Sequence, residues 1–128
     1  MDYQSLKTRH RNERDAHHPK LALRVHRALS WLSRAEQAED VDGRFIFLWI
    51  AFNAAYATDI DDHQMFNRFY TLRNQLIHGG TTWEGSDNRT QLRDCAKLLG
   101  KLVSLVILLM LDNPRTLWGE ACYPVVKA

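Results

Sequence analysis

The sequence contains little cysteine and no long hydrophobic segment. Its two cysteines, Cys95 and Cys122, are too few for a disulfide framework, and Cys95 falls in a helical pattern where a buried thiol is expected. The longest mainly apolar run, Leu102–Leu111, covers about half of the roughly twenty residues that a transmembrane helix needs. The N-terminus is polar and lacks the apolar core of a secretory signal. We therefore expect a cytoplasmic protein that does not act at a membrane.

An excess of one charge is also missing, because the net charge of +2 is too small to indicate nucleic-acid binding by itself. The basic residues are nevertheless concentrated in residues 1–20. They are Lys7, Arg9, Arg11, Arg14 and Lys20, together with His10, His17 and His18. No cysteine or firm carboxylate pattern accompanies the histidines, so we expect a solvated basic arm over residues 1–18 and no metal site or cofactor. Such an arm could touch RNA phosphates, which would make binding salt-dependent.

Residues 19–128 are expected to form one helical domain. Pro19 suits the first turn of a helix, and apolar residues recur at helical spacing from there to about Ala38. The positions are Leu21, Val25, Leu29 and Leu32, while Arg24, Arg27 and Arg34 are assigned to a solvated face. A second helix is predicted from an N-cap at Asp42 to about Ala57. It is apolar nearly all round, which indicates packing on several sides.

Two further helices complete the prediction. The third carries an apolar stripe from Phe66 to Ile77, and the fourth runs from a capping box at Asn88 to the stop at Asn113-Pro114. Residues 115–128 are expected to dock as a tail. The fold class is therefore all-α, a four-to-five-helix up-and-down bundle.

The most informative stretch is Leu72–Gly80, which reads as the end of the third helix. Asn74 and His78 are four residues apart and share one helix face, and the long side chain of Arg73 can reach toward that face. The glycine pair Gly79-Gly80 suits a helix C-cap, where the helix dipole favours a protonated imidazole. The alternative is an ordinary helix end, with Arg73 in a salt bridge to Asp61 or Asp62.

A polar trio in this position can act on a phosphate, because histidine titrates in the range needed for proton transfer and arginine is a permanent cation. One reaction of this kind, cleavage of RNA without a metal ion, needs a base for the 2′-hydroxyl, an acid for the leaving oxygen and positive charge near the phosphate. One motif offers a single imidazole, so a two-fold homodimer that places two copies of the motif in one cleft is expected. Trp83 could stack on a base or simply pack its loop. Asn53 is expected to be a satisfied core polar group.

The Arg73-Asn74-x3-His78 segment at a helix end resembles the signature of the HEPN (higher eukaryotes and prokaryotes nucleotide-binding) domains. The text from Arg44 to Tyr56 and from Leu72 to Gly80 is similar to the ApeA-like bacterial branch, and the resemblance extends from about Leu21 to Tyr123. Two features differ from the family. The interval Ala57–Phe66 is short where that branch often carries an insert, and Gly80 replaces the tyrosine of toxins that are paired with a nucleotidyltransferase antitoxin.

The resemblance implies an HEPN-like bundle and a metal-independent endoribonuclease, often in a defence or toxin system. It assigns catalysis to Arg73, Asn74 and His78 at a homodimer interface, and a similar asparagine in relatives allows Asn53 to contact RNA with Trp83. It also allows an alternative, a non-catalytic module that binds RNA, a nucleotide or a protein partner. A regulatory protein partner is compatible with both.

Overall fold

The computed structural model describes residues 2–56 and 89–115, and these residues are almost entirely helical. The first helix, α1, spans Tyr3–Glu13 and continues into a short 3₁₀ turn at Arg14–Ala16. The other helices are α2 (Pro19–Gln37), α3 (Val41–Tyr56) and α4 (Arg89–Asp112). No strand occurs in the described ranges. The predicted all-α bundle is therefore confirmed, while the predicted third helix and the tail lie outside the described residues.

The N-terminal segment is a helix that packs on the bundle. Asp2 caps α1 by accepting a hydrogen bond from the backbone N–H of Ser5 at 2.8 Å. Leu6 is only 2% exposed and belongs to the common core. Arg9 connects α1 to the end of α4, because its Nη1 lies 2.6 Å from Oδ1 of Asp112. The expectation of solvated histidines was wrong for His10 and His17, which are 3% and 9% exposed, and it holds for the exposed His18.

Helices α2 and α3 form an antiparallel hairpin around residues 38–40. Contacts between the start of α2 and the end of α3 include the hydrogen bond from Arg24 Nη1 to the carbonyl oxygen of Ala55, at 3.1 Å. Nearer the turn of the hairpin, Trp31 stacks on Phe47 with ring centroids 5.9 Å apart. The Arg34 guanidinium lies 4.7 Å from the centroid of the Phe47 ring. The assignment of Arg24 to a solvated face was wrong, because this side chain is 1% exposed.

The N-cap of α3 lies two residues before the predicted one. The backbone N–H of Gly43 donates to the Asp40 carboxylate at 2.5 Å, so Asp40 supplies the cap that was predicted for Asp42. Asp42 is instead a residue of the first turn, 2% exposed, and its carboxylate is paired with Arg89 at the start of α4. The local sequence offers two aspartates at suitable positions, and burial against α4 determines which of them caps the helix.

Helices α3 and α4 run in the same direction, since Asp42 meets Arg89 and Leu48 lies beside Gly100 farther along both helices. Helix α3 therefore packs between α2 and α4, as its nearly continuous apolar sequence predicts. The central core side chains include Phe45, Leu48, Leu99, Val103 and Ile107, each 2% exposed or less. Cys95 is buried in this core, as predicted.

Candidate functional site

The residues predicted to carry catalysis, Arg73, Asn74 and His78, lie outside the described residues, as does Trp83. The proposed ion-pair partners of Arg73, Asp61 and Asp62, also lie there. Their mutual geometry stays a prediction.

Asn53 is the one predicted site residue that the structure describes. Its side chain is half-buried, and Nδ2 donates to the carbonyl oxygen of Trp49 one turn earlier in α3, at 3.0 Å. The expected partner is thus found within its own helix. A primary amide has two N–H donors and a carbonyl acceptor, so this bond occupies only part of its hydrogen-bonding capacity. The structure neither brings Asn53 to the other predicted residues nor separates it from them.

A basic cleft lies between α1 and α2, and we call it the α1–α2 cleft. Its volume is about 370 Å³, and it is lined by the basic side chains of Lys7, His10, Arg11, Arg14 and His26. The remaining lining residues are Tyr3, Leu29, Ser30 and Ser33. No carboxylate from the described part of the chain is among them. The cleft therefore combines positive charge with hydroxyl donors, which is the composition expected of an anion site.

His10 forms the most buried part of this cleft. Its two ring nitrogens are shielded from solvent and have no hydrogen-bond partner, and its ring centroid lies 6.4 Å from that of His26. Burial lowers the pKa of His10 to about 4, and the positive charges of Arg14, His26 and His17 act in the same direction. A buried imidazole without a partner is unusual, because buried polar groups are normally hydrogen-bonded.

The pKa of Tyr3 is also lowered in this cleft. Burial acts to raise the pKa of its phenol, but hydrogen bonds with Lys7 and Ser33 and the charges of Lys7 and Arg11 outweigh burial and lower that pKa. The Lys7 ammonium also lies 5.4 Å from the centroid of the Tyr3 ring. The cleft thus disfavours added positive charge at His10 and favours negative charge at Tyr3.

Two carboxylates near the end of α1 contact residues that are not part of the cleft lining. Glu13 is bonded to Arg9, with Oε2 2.7 Å from Nε, and its other oxygen lies 3.8 Å from His17 Nε2. Asp112, on α4, also contacts Arg9. The sequence signal for the α1–α2 cleft was the run of basic residues in positions 1–20. The sequence alone could not reveal that α2 packs against this run and buries one side of α1.

A second cleft, of about 300 Å³, lies between α2, α3 and α4 and has mixed charge. Its lining includes Glu36 beside Arg44, Lys97 and Lys101, so its cations face a carboxylate. In residues 2–56 and 89–115, no group of three or more His, Cys, Asp or Glu side chains is arranged to hold a metal ion. The basic, carboxylate-free lining therefore distinguishes the α1–α2 cleft from this one.

Helix α4 presents an exposed apolar face. Leu98, Leu105 and Leu109 are 58%, 42% and 46% exposed, and the half-buried Leu102 lies on the same side of the helix. Their spacing of four, three and four residues is the spacing of an a/d seam between paired helices. Among the described helices, none has the length and apolar character required to cross a bilayer.

Comparison with known proteins gives no match: neither a protein-family model, nor a curated protein, nor a solved structure is similar to this chain.

Proposed function

We propose that this protein is a metal-independent endoribonuclease of the HEPN type that acts as a homodimer. The observation that carries the proposal is the segment Arg73-Asn74-x3-His78, followed by Gly79-Gly80, in a chain whose described residues form an all-α bundle. The motif provides a group for proton transfer and a permanent cation, and such a pair can act on a phosphodiester without a metal ion.

In the proposed reaction the RNA 2′-hydroxyl attacks the adjacent phosphorus. The bond between O2′ and phosphorus forms as the bond between phosphorus and O5′ breaks, which leaves a 2′,3′-cyclic phosphate and a 5′-hydroxyl. One His78 accepts the proton of the 2′-hydroxyl, and the His78 of a second copy donates a proton to O5′. Arg73 binds the phosphate oxygens through two parallel N–H groups, and Asn74 orients the imidazole or the phosphate.

A homodimer is required because each chain contributes one motif histidine to this scheme. The exposed leucine face of α4 supports self-association, since three partly exposed leucines on one helix face offer apolar area that a second copy can bury. The a/d spacing of these leucines suits the packing of one helix against another. The structure thus offers a surface of the right chemistry for a two-fold contact.

Asn53 and Trp83 are proposed to contact the RNA beside the catalytic residues. Beyond its bond to Trp49, the Asn53 amide has one further N–H donor and a carbonyl acceptor, and these suit a base edge. The indole of Trp83 suits stacking on a base. A defence or toxin role in the cytoplasm, under the control of a partner protein, belongs to the same proposal and follows from the resemblance alone.

The decisive experiment is incubation of the purified protein with mixed RNA in EDTA. We expect cleavage that yields cyclic phosphate ends, and we expect His78→Ala to abolish it while the protein stays folded and dimeric. Arg73→Lys should also fail, because a point charge does not reproduce the bidentate contact. His18→Asn is a matched control, since His18 is exposed and asparagine can still cap α2.

The outcomes separate the alternatives. Cleavage by His78→Ala at the wild-type rate would refute the catalytic assignment. Salt-sensitive RNA binding without cleavage would instead support the non-catalytic module, and the absence of both activities would leave a helical scaffold.

A further inference from the structure

We propose that the α1–α2 cleft is a binding site for a small phosphate monoester, separate from the motif Arg73–His78. The site takes the phosphate group between Lys7, Arg11 and Arg14, with the His10 ring as its inner wall. This assignment goes beyond the proposed nuclease activity and does not depend on it.

The first argument concerns charge. Three residues that carry a full positive charge line one cleft of about 370 Å³, and no carboxylate of residues 2–56 and 89–115 is part of its lining. Clustered like charges repel each other and are stabilised when an anion binds among them. A phosphate monoester, which carries close to two negative charges near neutral pH, balances this set better than a carboxylate or a single phosphodiester does.

The second argument concerns the unsatisfied histidine. His10 is 3% exposed, and both of its ring nitrogens are buried without a hydrogen-bond partner. A neutral imidazole has one N–H donor, and leaving such a donor unpaired in the protein interior costs roughly 1–3 kcal/mol. Because both nitrogens are shielded from solvent, the ring must turn for one of them to face the cleft, and a phosphate oxygen seated there then supplies the missing acceptor. The hydroxyl groups of Ser30 and Ser33, on α2, offer further donors from the opposite wall.

The third argument concerns the groups that surround His10. It is approached by Arg14 and His17 from the chain that follows it, and by His26 from α2. Glu13 and Asp112 are both bound to Arg9, and the charges that act on the His10 ring, those of Arg14, His26 and His17, are all positive. A bound anion would therefore place a negative charge against this positive set. It would reverse the sign of the local potential and raise the pKa of that imidazole.

The test compares two double variants of the full chain with equal changes in net charge. Arg11→Gln with Arg14→Gln removes two cations of the cleft, and Arg93→Gln with Lys97→Gln removes two exposed cations of α4. Calorimetric titration with inorganic phosphate and with glycerol phosphate at pH 7.5 should show binding to the wild type. We expect about tenfold weaker binding in the first variant and wild-type affinity in the second.

A second measurement locates the ligand. The His10 imidazole is followed by NMR as the pH is varied, with and without sulfate, which remains a dianion throughout the titration. Saturating sulfate should raise the midpoint of His10 by about one pH unit or more. Circular dichroism verifies that the variants are folded. We expect them to fold, because Arg11 and Arg14 are exposed.

Several results would overturn the proposal: no binding of phosphate or its monoester at millimolar concentration, equal weakening in both double variants, or an unchanged His10 midpoint at saturation. RNA binding that requires Arg11 and Arg14, without binding of either small phosphate, would also overturn it in favour of a backbone contact. The variant His78→Ala should bind phosphate as the wild type does. Loss of nuclease activity is thereby distinguished from loss of this site.

Discussion

Arg24 on α2 donates a hydrogen bond from Nη1 to the backbone carbonyl of Ala55, in the last turn of α3, at 3.1 Å. Carbonyl groups in the last turn of a helix have no partner within that helix, and the guanidinium supplies a donor to one of them. Arg24 is 1% exposed and is among the largest fully buried side chains of the described residues. Arg24 thus links α2 to α3, the two helices of the hairpin.

We expect Arg24→Ala to destabilise the protein by about 3 kcal/mol, because it removes a buried hydrogen bond from a charged donor and leaves a cavity. Urea denaturation followed by circular dichroism measures the change. Arg93→Ala, at an exposed position of α4, should alter the free energy of unfolding by about 0.5 kcal/mol or less. An equal loss in both variants would mean that the Arg24 contact contributes nothing specific.

Asp42 and Arg89 form an ion pair in which the Asp42 side chain is 2% exposed and the Arg89 side chain 19%. Asp42→Asn should cost about 2–3 kcal/mol, since it leaves a partly buried guanidinium without its counter-charge. The double variant Asp42→Leu with Arg89→Leu should be more stable than the sum of the two single leucine variants predicts. Strict additivity in this double-mutant cycle would show that the two groups do not interact energetically.

The glycines of α3 and α4 make a matched pair. A Cβ at Gly100 would lie 3.7 Å from Leu48 Cδ1, an ordinary contact, so Gly100→Ala should stabilise the protein by about 0.5–1 kcal/mol through the higher helix propensity of alanine. A Cβ at Gly43 would lie 2.9 Å from Oδ2 of Asp40 and would displace the capping carboxylate. Gly43→Ala should therefore gain nothing or lose stability. Thermal unfolding of both variants distinguishes these opposite expectations.

The buried imidazole makes stability depend on pH. The pKa of His10 is lowered to about 4 by burial and by Arg14, His26 and His17, whereas its ordinary value is 6.5. Between these values the unfolded chain binds the proton and the folded chain does not. Stability is therefore fully present above about 6.5 and falls as the pH drops toward 4, with a slope of up to about 1.4 kcal/mol per pH unit.

Urea denaturation at pH 4.5, 5.5 and 6.5 in a buffer without phosphate or sulfate measures that slope. His10→Leu should remove this contribution, and the exposed control His18→Asn should retain it. A slope that is the same in His10→Leu and in the wild type would assign the pH dependence to other groups.

Periodicity was sufficient to predict α2, the start of α3 and the end of α4 to within one or two residues. The predicted interval 19–38 corresponds to α2 (Pro19–Gln37), the predicted start at Asp42 lies one residue after the first residue of α3 (Val41–Tyr56), and the predicted stop at Asn113-Pro114 follows the last residue of α4 (Arg89–Asp112). The predicted end near Ala57 and the predicted cap at Asn88 lie outside the described residues. Proline at a first turn, a continuous apolar run and a helix-stopping Asn-Pro are local signals. They depend on neighbouring residues alone, so the sequence displays them directly.

What the sequence could not reveal depends on contacts between helices. Helix α1 has few apolar residues, and its burial depends on α2 and α4, which pack against it. Arg24 was placed on the solvated face because it is charged, although it lies three residues after Leu21 and four before Ala28 and therefore shares their face. Its position in the helix was a better guide than its charge. The catalytic assignment of Arg73, Asn74 and His78 stays a prediction, because those residues lie outside the described ranges.

The two ion pairs at the ends of α4 have a consequence for assembly. Asp42 holds the first residue of this helix and Arg9 holds the last, at points about 35 Å apart along its axis. A displacement of α4 by one turn along its axis, relative to α1 and α3, would break both ion pairs at once. The two pairs therefore fix the exposed leucines of α4 at set positions relative to the other described helices, and a second subunit that packed on this face would meet them in one register.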